Sequence, residues 1–109
     1  MELDIDVTES AGWTIVAVSG ELDLYTSPAL RTSIHDAAGS GMKLAVDLTD
    51  VSFIDSSGLG AIVGALKHVR ELGGEFAVVA PSDGPLSRLL SLTGLDQIVH
   101  PVNDRGALA

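Results

Sequence analysis

The chain contains no cysteine. That absence excludes a disulfide frame, a thiolate zinc site and a thiol nucleophile, and it leaves only the scattered His35, His68 and His100 as soft metal ligands. Basic residues are scarce: 6 Lys+Arg stand against 15 Asp+Glu, for a formal net charge of −9. Phosphate backbones and anionic lipid headgroups are bound through clustered Lys and Arg, so neither nucleic acid nor a membrane surface is an expected partner. Long hydrophobic runs are missing as well. The longest, Leu59 to Leu66, falls far short of the ~20 residues that span a bilayer. Met1-Glu2-Leu3-Asp4 carries no basic leader region, and the expected location is cytoplasmic. Aromatic residues make up 4% of the chain and hydrophobic residues 46%, so the core has to be built from Val, Leu, Ile and Ala, the composition of a compact α/β packing. At 109 residues the folded chain hides roughly two-thirds of its unfolded surface, enough for a single core and a single domain over 1–109.

What is present is strongly patterned. Leu3, Ile5 and Val7 alternate with Asp4 and Asp6, and the same period of two returns from Trp13 to Ser19, with Gly12 between as a turn. Two strands joined as a hairpin follow from this. Thr26 or Ser27 is placed to cap a helix, Pro28 suits its first turn, and Leu30, Ile34 and Ala38 keep helical spacing up to Gly39-Ser40-Gly41. Leu44 to Leu48 reads as a strand and Thr49 to Asp55 as a connecting loop. Ser56 or Ser57 caps a long second helix that stops at Gly73-Gly74, and Phe76 to Ala80 forms a buried strand. After the break from Pro81 to Pro85, Leu86, Leu89, Leu90 and Leu92 predict a short third helix ending at Gly94, with Ile98-Val99-His100 as a last short strand. The expected fold is one α/β domain of order β β α β α β α β, with a mixed central sheet, helices packed mainly on one face and a short C-terminal helix.

Familiar enzyme motifs are incomplete. Ile54-Asp55-Ser56-Ser57-Gly58-Leu59-Gly60 lacks the first glycine of a serine-hydrolase elbow, and Gly58, Gly60 and Gly64 are not followed by the lysine of a phosphate-binding loop. A phospho-accepting receiver domain needs a lysine near its last strand, whereas the lysines here are Lys43 and Lys67. Unusual polarity does gather at Asp55, Ser56 and Ser57, where the chain enters the second helix. The free amides and dipole of a helix's first turn welcome an anion, so a phosphate on Ser56 would be tolerated there; the same string also reads as a plain cap and turn. At 100° per residue, Leu59, Ile62, Val63, Leu66 and Val69 share one face of this helix, and Ser57, Gly60, Ala61, Gly64, His68 and Glu71 the other. Gly60 and Gly64 each cost the helix about 1 kcal/mol relative to Ala, so the smooth strip marks the close approach of another backbone, either a partner's or a neighbouring helix of the same domain. The acidic turn Gly20-Glu21-Leu22-Asp23 also lies at a strand end leading into a helix, so it is expected at the same edge as Asp55.

Taken together, Gly20-Glu21-Leu22-Asp23-Leu24-Tyr25-Thr26-Ser27-Pro28-Ala29-Leu30-Arg31, Asp50-Val51-Ser52-Phe53-Ile54-Asp55-Ser56-Ser57-Gly58-Leu59-Gly60, Gly73-Gly74 and Leu92-Thr93-Gly94-Leu95 resemble the STAS domain family, in particular the bacterial anti-sigma factor antagonists. The resemblance spans nearly the whole chain in the same order. It implies a binding protein without cofactor or metal that captures an anti-sigma factor, itself a serine kinase of the GHKL ATPase type, and so frees a sigma factor for transcription. It further implies that phosphorylation switches the capture off and that a PP2C-type phosphatase resets it. By position, Ser56 matches the phosphorylated serine, with Ser57 as the alternative, and Glu21 and Asp23 match the acidic turn of the partner surface. Asp55, Ser57, Gly58, Gly60, Gly64 and His68 complete the expected partner-binding set. Relatives usually end in a longer helix than Asn103 to Ala109 allows, so the last helix should cover less of the sheet. A competing expectation is a STAS accessory subunit of a membrane transporter or lipid-transport complex, not phosphorylated; a third is a small enzyme using Asp23 and Asp55 for phosphoryl chemistry.

Overall fold

Strands β1 (Leu3–Ser10) and β2 (Trp13–Leu22) form the expected hairpin in the computed structural model, which describes residues 3–108. Met1, Glu2 and Ala109, at the ends of the expected 1–109 domain, lie outside the described residues. The two strands pair antiparallel from Leu3↔Gly20 to Ser10↔Trp13, so Ala11 and Gly12 alone make the turn. Both have positive φ, 53° and 86°, as a two-residue turn that matches the strand twist requires. Gly12 adopts this freely, and Ala11 does so at a cost of about 1–2 kcal/mol.

Helix α1 (Ser27–Ala37) leads into β3 (Lys43–Ile54), α2 (Ser56–Glu71) into β4 (Glu75–Val79), and α3 (Pro85–Thr93) follows. The sheet order is β1-β2-β3-β4, with β2, β3 and β4 parallel, so α1 and α2 are the crossovers between neighbouring strands. Strand β3 runs through most of the stretch expected as a loop. Its register against β2 shifts twice, between Ala17 and Ser19 and between Gly20 and Glu21, and each shift sets an extra β3 residue opposite its partner. Buried Leu48, Val51 and Ile54 therefore fall three residues apart, a spacing that hides a strand from any search for period two.

The last expected strand is absent. Gly94, at φ 76°, ends α3, Leu95–Gln97 make a single 3-10 turn, and Val99 is carried into the core. The chain comes alongside β4 only at Val102, which forms one bridge with Val79. Nor does the tail form a regular helix: Arg105–Ala107 is one 3-10 turn.

One face of the sheet carries the main core. Val16, Val18, Leu44, Val46, Leu48 and Val78 pack there beneath Leu30 and Ile34 of α1, Leu59, Ile62, Leu66 and Val69 of α2, and Leu86 and Leu90 of α3. On the opposite face Trp13, Ile15 and Ala45 are buried with the partly buried Ala77 and Leu108 packed against them, and the Lys43 ammonium stands 5.6 Å from the Trp13 ring centre. The tail is tied over this face by Arg105, whose Nε donates to Asp47 Oδ2 at 2.6 Å, while the Thr49 hydroxyl and amide reach Oδ1 at 2.6 and 3.0 Å. Burial pushes the Asp47 carboxyl up, but the bonds from Thr49 and Arg105 outweigh it and hold its pKa below the ordinary carboxylate value. A depressed folded pKa contributes stability above the unfolded value of about 3.9 and loses it as the pH falls through the folded one. With the Arg105 side chain 47% exposed, Arg105→Ala is expected to lower the unfolding free energy by only about 1 kcal/mol at pH 7. In urea titrations the gap between the two chains should narrow as the pH falls below about 3.9 and close once the pH is under the depressed folded pKa. An undiminished gap there would show that the Asp47 charge is not what ties the tail.

Candidate partner-binding site

Strands β2 and β3 run parallel and end side by side, Leu22 opposite Ile54, so they deliver Asp23 and Asp55 to the same edge of the sheet. The Asp55 amide donates to the Leu22 carbonyl at 3.2 Å and joins the two strand ends. Just before them Glu21 pairs with Phe53, which brings the acidic turn beside the start of α2 as the sequence predicts.

Asp55 is the residue that caps α2. Its backbone is extended and its Oδ1 accepts from the Gly58 amide at 3.0 Å, a bond worth about 1 kcal/mol. The sequence expectation of a Ser56 or Ser57 cap is corrected accordingly, because the shorter serine chains already lie inside the helix. Ser56 is left exposed at the first helical position, with its hydroxyl engaged by nothing among the described residues, whereas Ser57 is half-buried. At the start of α1 the expected side-chain cap is also missing. Thr26 Oγ1 instead accepts from the Asp23 amide at 2.9 Å and shares its proton between the Glu21 carbonyl, at 2.7 Å, and Asp23 Oδ1, at 3.1 Å.

Asp23 is 4% exposed. Its Oδ1 accepts from the amides of Tyr25 and Thr26 at 2.9 and 3.0 Å, while its Oδ2 is buried without a hydrogen-bond partner. Burial pushes this carboxyl up, yet the bonds from Thr26 and Tyr25 prevail and hold its pKa below the usual value, so it stays ionised at neutral pH. Its expected place on the partner surface is therefore corrected: the side chain folds into its own turn and shapes the surface from beneath. Gly58 is corrected likewise, since it is buried against the ends of β2 and β3. Glu21 and Asp55, by contrast, are half-buried and keep part of their surface in solvent.

The Asp23 turn lifts Leu24 and Tyr25 into solvent, 63% and 83% exposed, and Phe53 at the end of β3 is 47% exposed. Sequence reasoning missed these three. The available signal was scarcity: Tyr25 and Phe53 are half of the chain's aromatic residues, and both lie within the two motifs. Exposed aromatic side chains beside a polar rim are what interface cores are made of.

Along α2, the smooth strip meets a neighbour of its own domain. A Cβ placed on Gly60 would stand 3.4 Å from Arg31 Nη2, and one on Gly64 3.4 Å from Arg31 Nη1. The rings of His35 and His68 lie 5.1 Å apart. Ala61 was expected on the outward face and is instead buried, because α1 packs over that side. Gly60 remains exposed, while Gly64 and His68 are half-buried beside an open groove of about 390 Å³ lined also by Arg31, Ile34 and His35. Among the described residues no helix is long and apolar enough to cross a membrane, and no three His, Asp or Glu side chains converge to hold a metal ion.

The sequence matches the model of the STAS domain over residues 4–107. The chain belongs to the STAS domain family. Among relatives of this STAS domain, the anti-sigma-B factor antagonist of Bacillus subtilis is 37% identical over 91% of this chain and 90% of its own length. The anti-sigma F factor antagonist of Paenibacillus polymyxa is 38% identical over 95% of this chain and 89% of its own. The crystal structure of an anti-sigma factor antagonist from Mycobacterium paratuberculosis superposes on this STAS domain with a TM-score of 0.84 at 30% identity, covering 96% of this chain and 89% of that one.

Proposed function

We propose that this STAS domain is an anti-sigma factor antagonist that captures an anti-sigma factor with GHKL-type serine kinase activity, releases its sigma factor, and is switched off by phosphorylation of Ser56. It is a regulatory binding protein and not an enzyme. The observation that carries the reading is the state of Ser56: exposed, unengaged, and freed by the Asp55 cap at the start of α2. The same sheet edge, where β2 and β3 end side by side, also carries the exposed Leu24, Tyr25 and Phe53 and the half-buried acids Glu21 and Asp55, the apolar and charged side chains that an interface combines. The names of its relatives support the capture of an anti-sigma factor.

In the switch, Ser56 Oγ attacks the γ-phosphorus of ATP, ADP leaves, and the hydroxyl proton passes to a base of the kinase. A PP2C-type phosphatase restores the serine by hydrolysis, with release of inorganic phosphate. The modification takes the formal charge from −9 to roughly −11 at this edge. On incubation with candidate GHKL-type anti-sigma kinases and ATP, peptide mass mapping should find phosphate on Ser56, and Ser56→Ala should abolish it although Ser57 is intact. A kinase that binds the chain and leaves residues 55–58 unmodified would overturn the switch and favour an unphosphorylated transporter subunit.

A further inference from the structure

From Ser56 a stripe of small side chains climbs α2 at four-residue spacing through Gly60 and Gly64 to His68, each one turn beyond the last. Arg31 of α1 lies across the middle of it. Its two terminal nitrogens, Nη2 and Nη1, stand 3.4 Å from where a Cβ would be on Gly60 and on Gly64, so the guanidinium rests against the bare helix backbone that these glycines expose. Arg31 is itself exposed and forms no ion pair among the described residues, although acids outnumber bases 15 to 6 in this chain. Its donor fork is thus uncommitted, and neither Gly60 nor Gly64, on which it rests, offers it a side-chain acceptor.

Cβ positions four residues apart on a helix are separated by about 5–6 Å. The guanidinium beside Gly60 is therefore about one turn from Ser56. Lys67 and Arg70 are much farther along the helix, about 16 Å or more at ~1.5 Å per residue. We propose that Arg31 is the internal receptor of the Ser56 phosphate: once the serine is modified, the guanidinium slides one turn along the glycine stripe and pairs with two phosphate oxygens. This rests on Ser56 being the modified residue. The planar fork of arginine matches phosphate in a bidentate, charge-assisted contact, which a bare ammonium does not reproduce. The first-turn amides of α2 share the load only in part, since that of Gly58 is held by Asp55. The blocked state is then an ordered one, with the phosphate drawn against its own domain and the cation withdrawn from the groove between α1 and α2.

The test places phosphoserine at position 56 during translation of the full chain, with no kinase involved, and follows the phosphate by ³¹P NMR against pH. The second pKa of a phosphoserine is about 6. In the Arg31 chain it should lie at least about half a unit below its value in Arg31→Gln, a threefold or larger difference in proton affinity. The α2 amides act on both chains alike, so the difference isolates Arg31. Arg31→Lys, which keeps the charge and loses the fork, should fall between the two. Equal pKa values in the Arg31 and Arg31→Gln chains would overturn the contact and leave the kinase switch standing; failure of the mass mapping would strike the switch and leave this contact measurable.

Discussion

Ser56→Asp is expected to bind the anti-sigma partner a few hundredfold more weakly than Ser56→Ala. The difference comes from placement. At the first position of α2 an added carboxylate meets free amides and the positive end of the helix dipole, so the fold accepts it and thermal stability should hold or rise slightly. On the proposed partner-facing side the same charge would join Glu21 and Asp55 at the sheet edge that also carries the exposed Leu24, Tyr25 and Phe53. A desolvated like charge at such an edge costs about 3–4 kcal/mol of binding, at ~1.4 kcal/mol per tenfold in affinity. Titration calorimetry of the two variants against the anti-sigma factor reads the ratio directly. Equal affinities would mean that Ser56 does not face the partner.

The second large effect concerns stability. A Cβ on Gly58 would stand 2.7 Å from the Leu22 carbonyl oxygen, 2.8 Å from Leu22 Cγ and 2.9 Å from Ile54 Cγ1. The carbonyl oxygen belongs to the end of β2 and already accepts the Asp55 amide, so it cannot retreat without loosening the joint that sets Asp23 beside Asp55. Overpacking costs about 1–3 kcal/mol when side chains alone have to yield, and more when backbone does. Replacing a helical glycine by alanine returns about 1 kcal/mol of propensity. Gly58→Ala should therefore lose about 2 kcal/mol net, and Gly58→Val, bulkier and β-branched, more than ~3 kcal/mol out of the 5–15 kcal/mol typical of such domains. The urea midpoint reports both, and a Gly58→Ala chain as stable as the parent would refute the argument.

The features legible in the sequence are those governed by local rules. Alternation revealed the hairpin, Pro28 and Gly94 marked a helix start and a helix end, and parallel strands leading into helices put Asp23 and Asp55 at one edge before any coordinates. The misreadings share a different cause, tertiary context. Two register shifts in β3 replaced period two with period three, so strand residues read as loop. Asp55 and Ser56 are equally good caps by type, and only backbone geometry assigns the bond to Asp55. Asp23 looked like a surface acid, but the amides of Tyr25 and Thr26 turn it inward, and the same turn pushes Leu24 and Tyr25 outward. The smooth strip on α2 was correctly read as a place of close approach, while the identity of the approaching group, Arg31, depended on how α1 lies.

The sheet ends differently at its two margins, and this bears on self-association. Strand β1 pairs only with β2 and presents the exposed Asp4, Asp6 and Glu9 along its length. A second copy adding itself there would bring the same acids face to face, a charge barrier to edge-to-edge growth. At the far margin β4 is five residues long, and beyond its middle the edge is taken by Val102, which bonds to Val78 and Ala80 at 2.9 Å each way. Pro101 just before it has no amide to offer a further strand. One margin is guarded by charge and the other by the chain's own returning end, so both strand edges are closed to copies of the same chain.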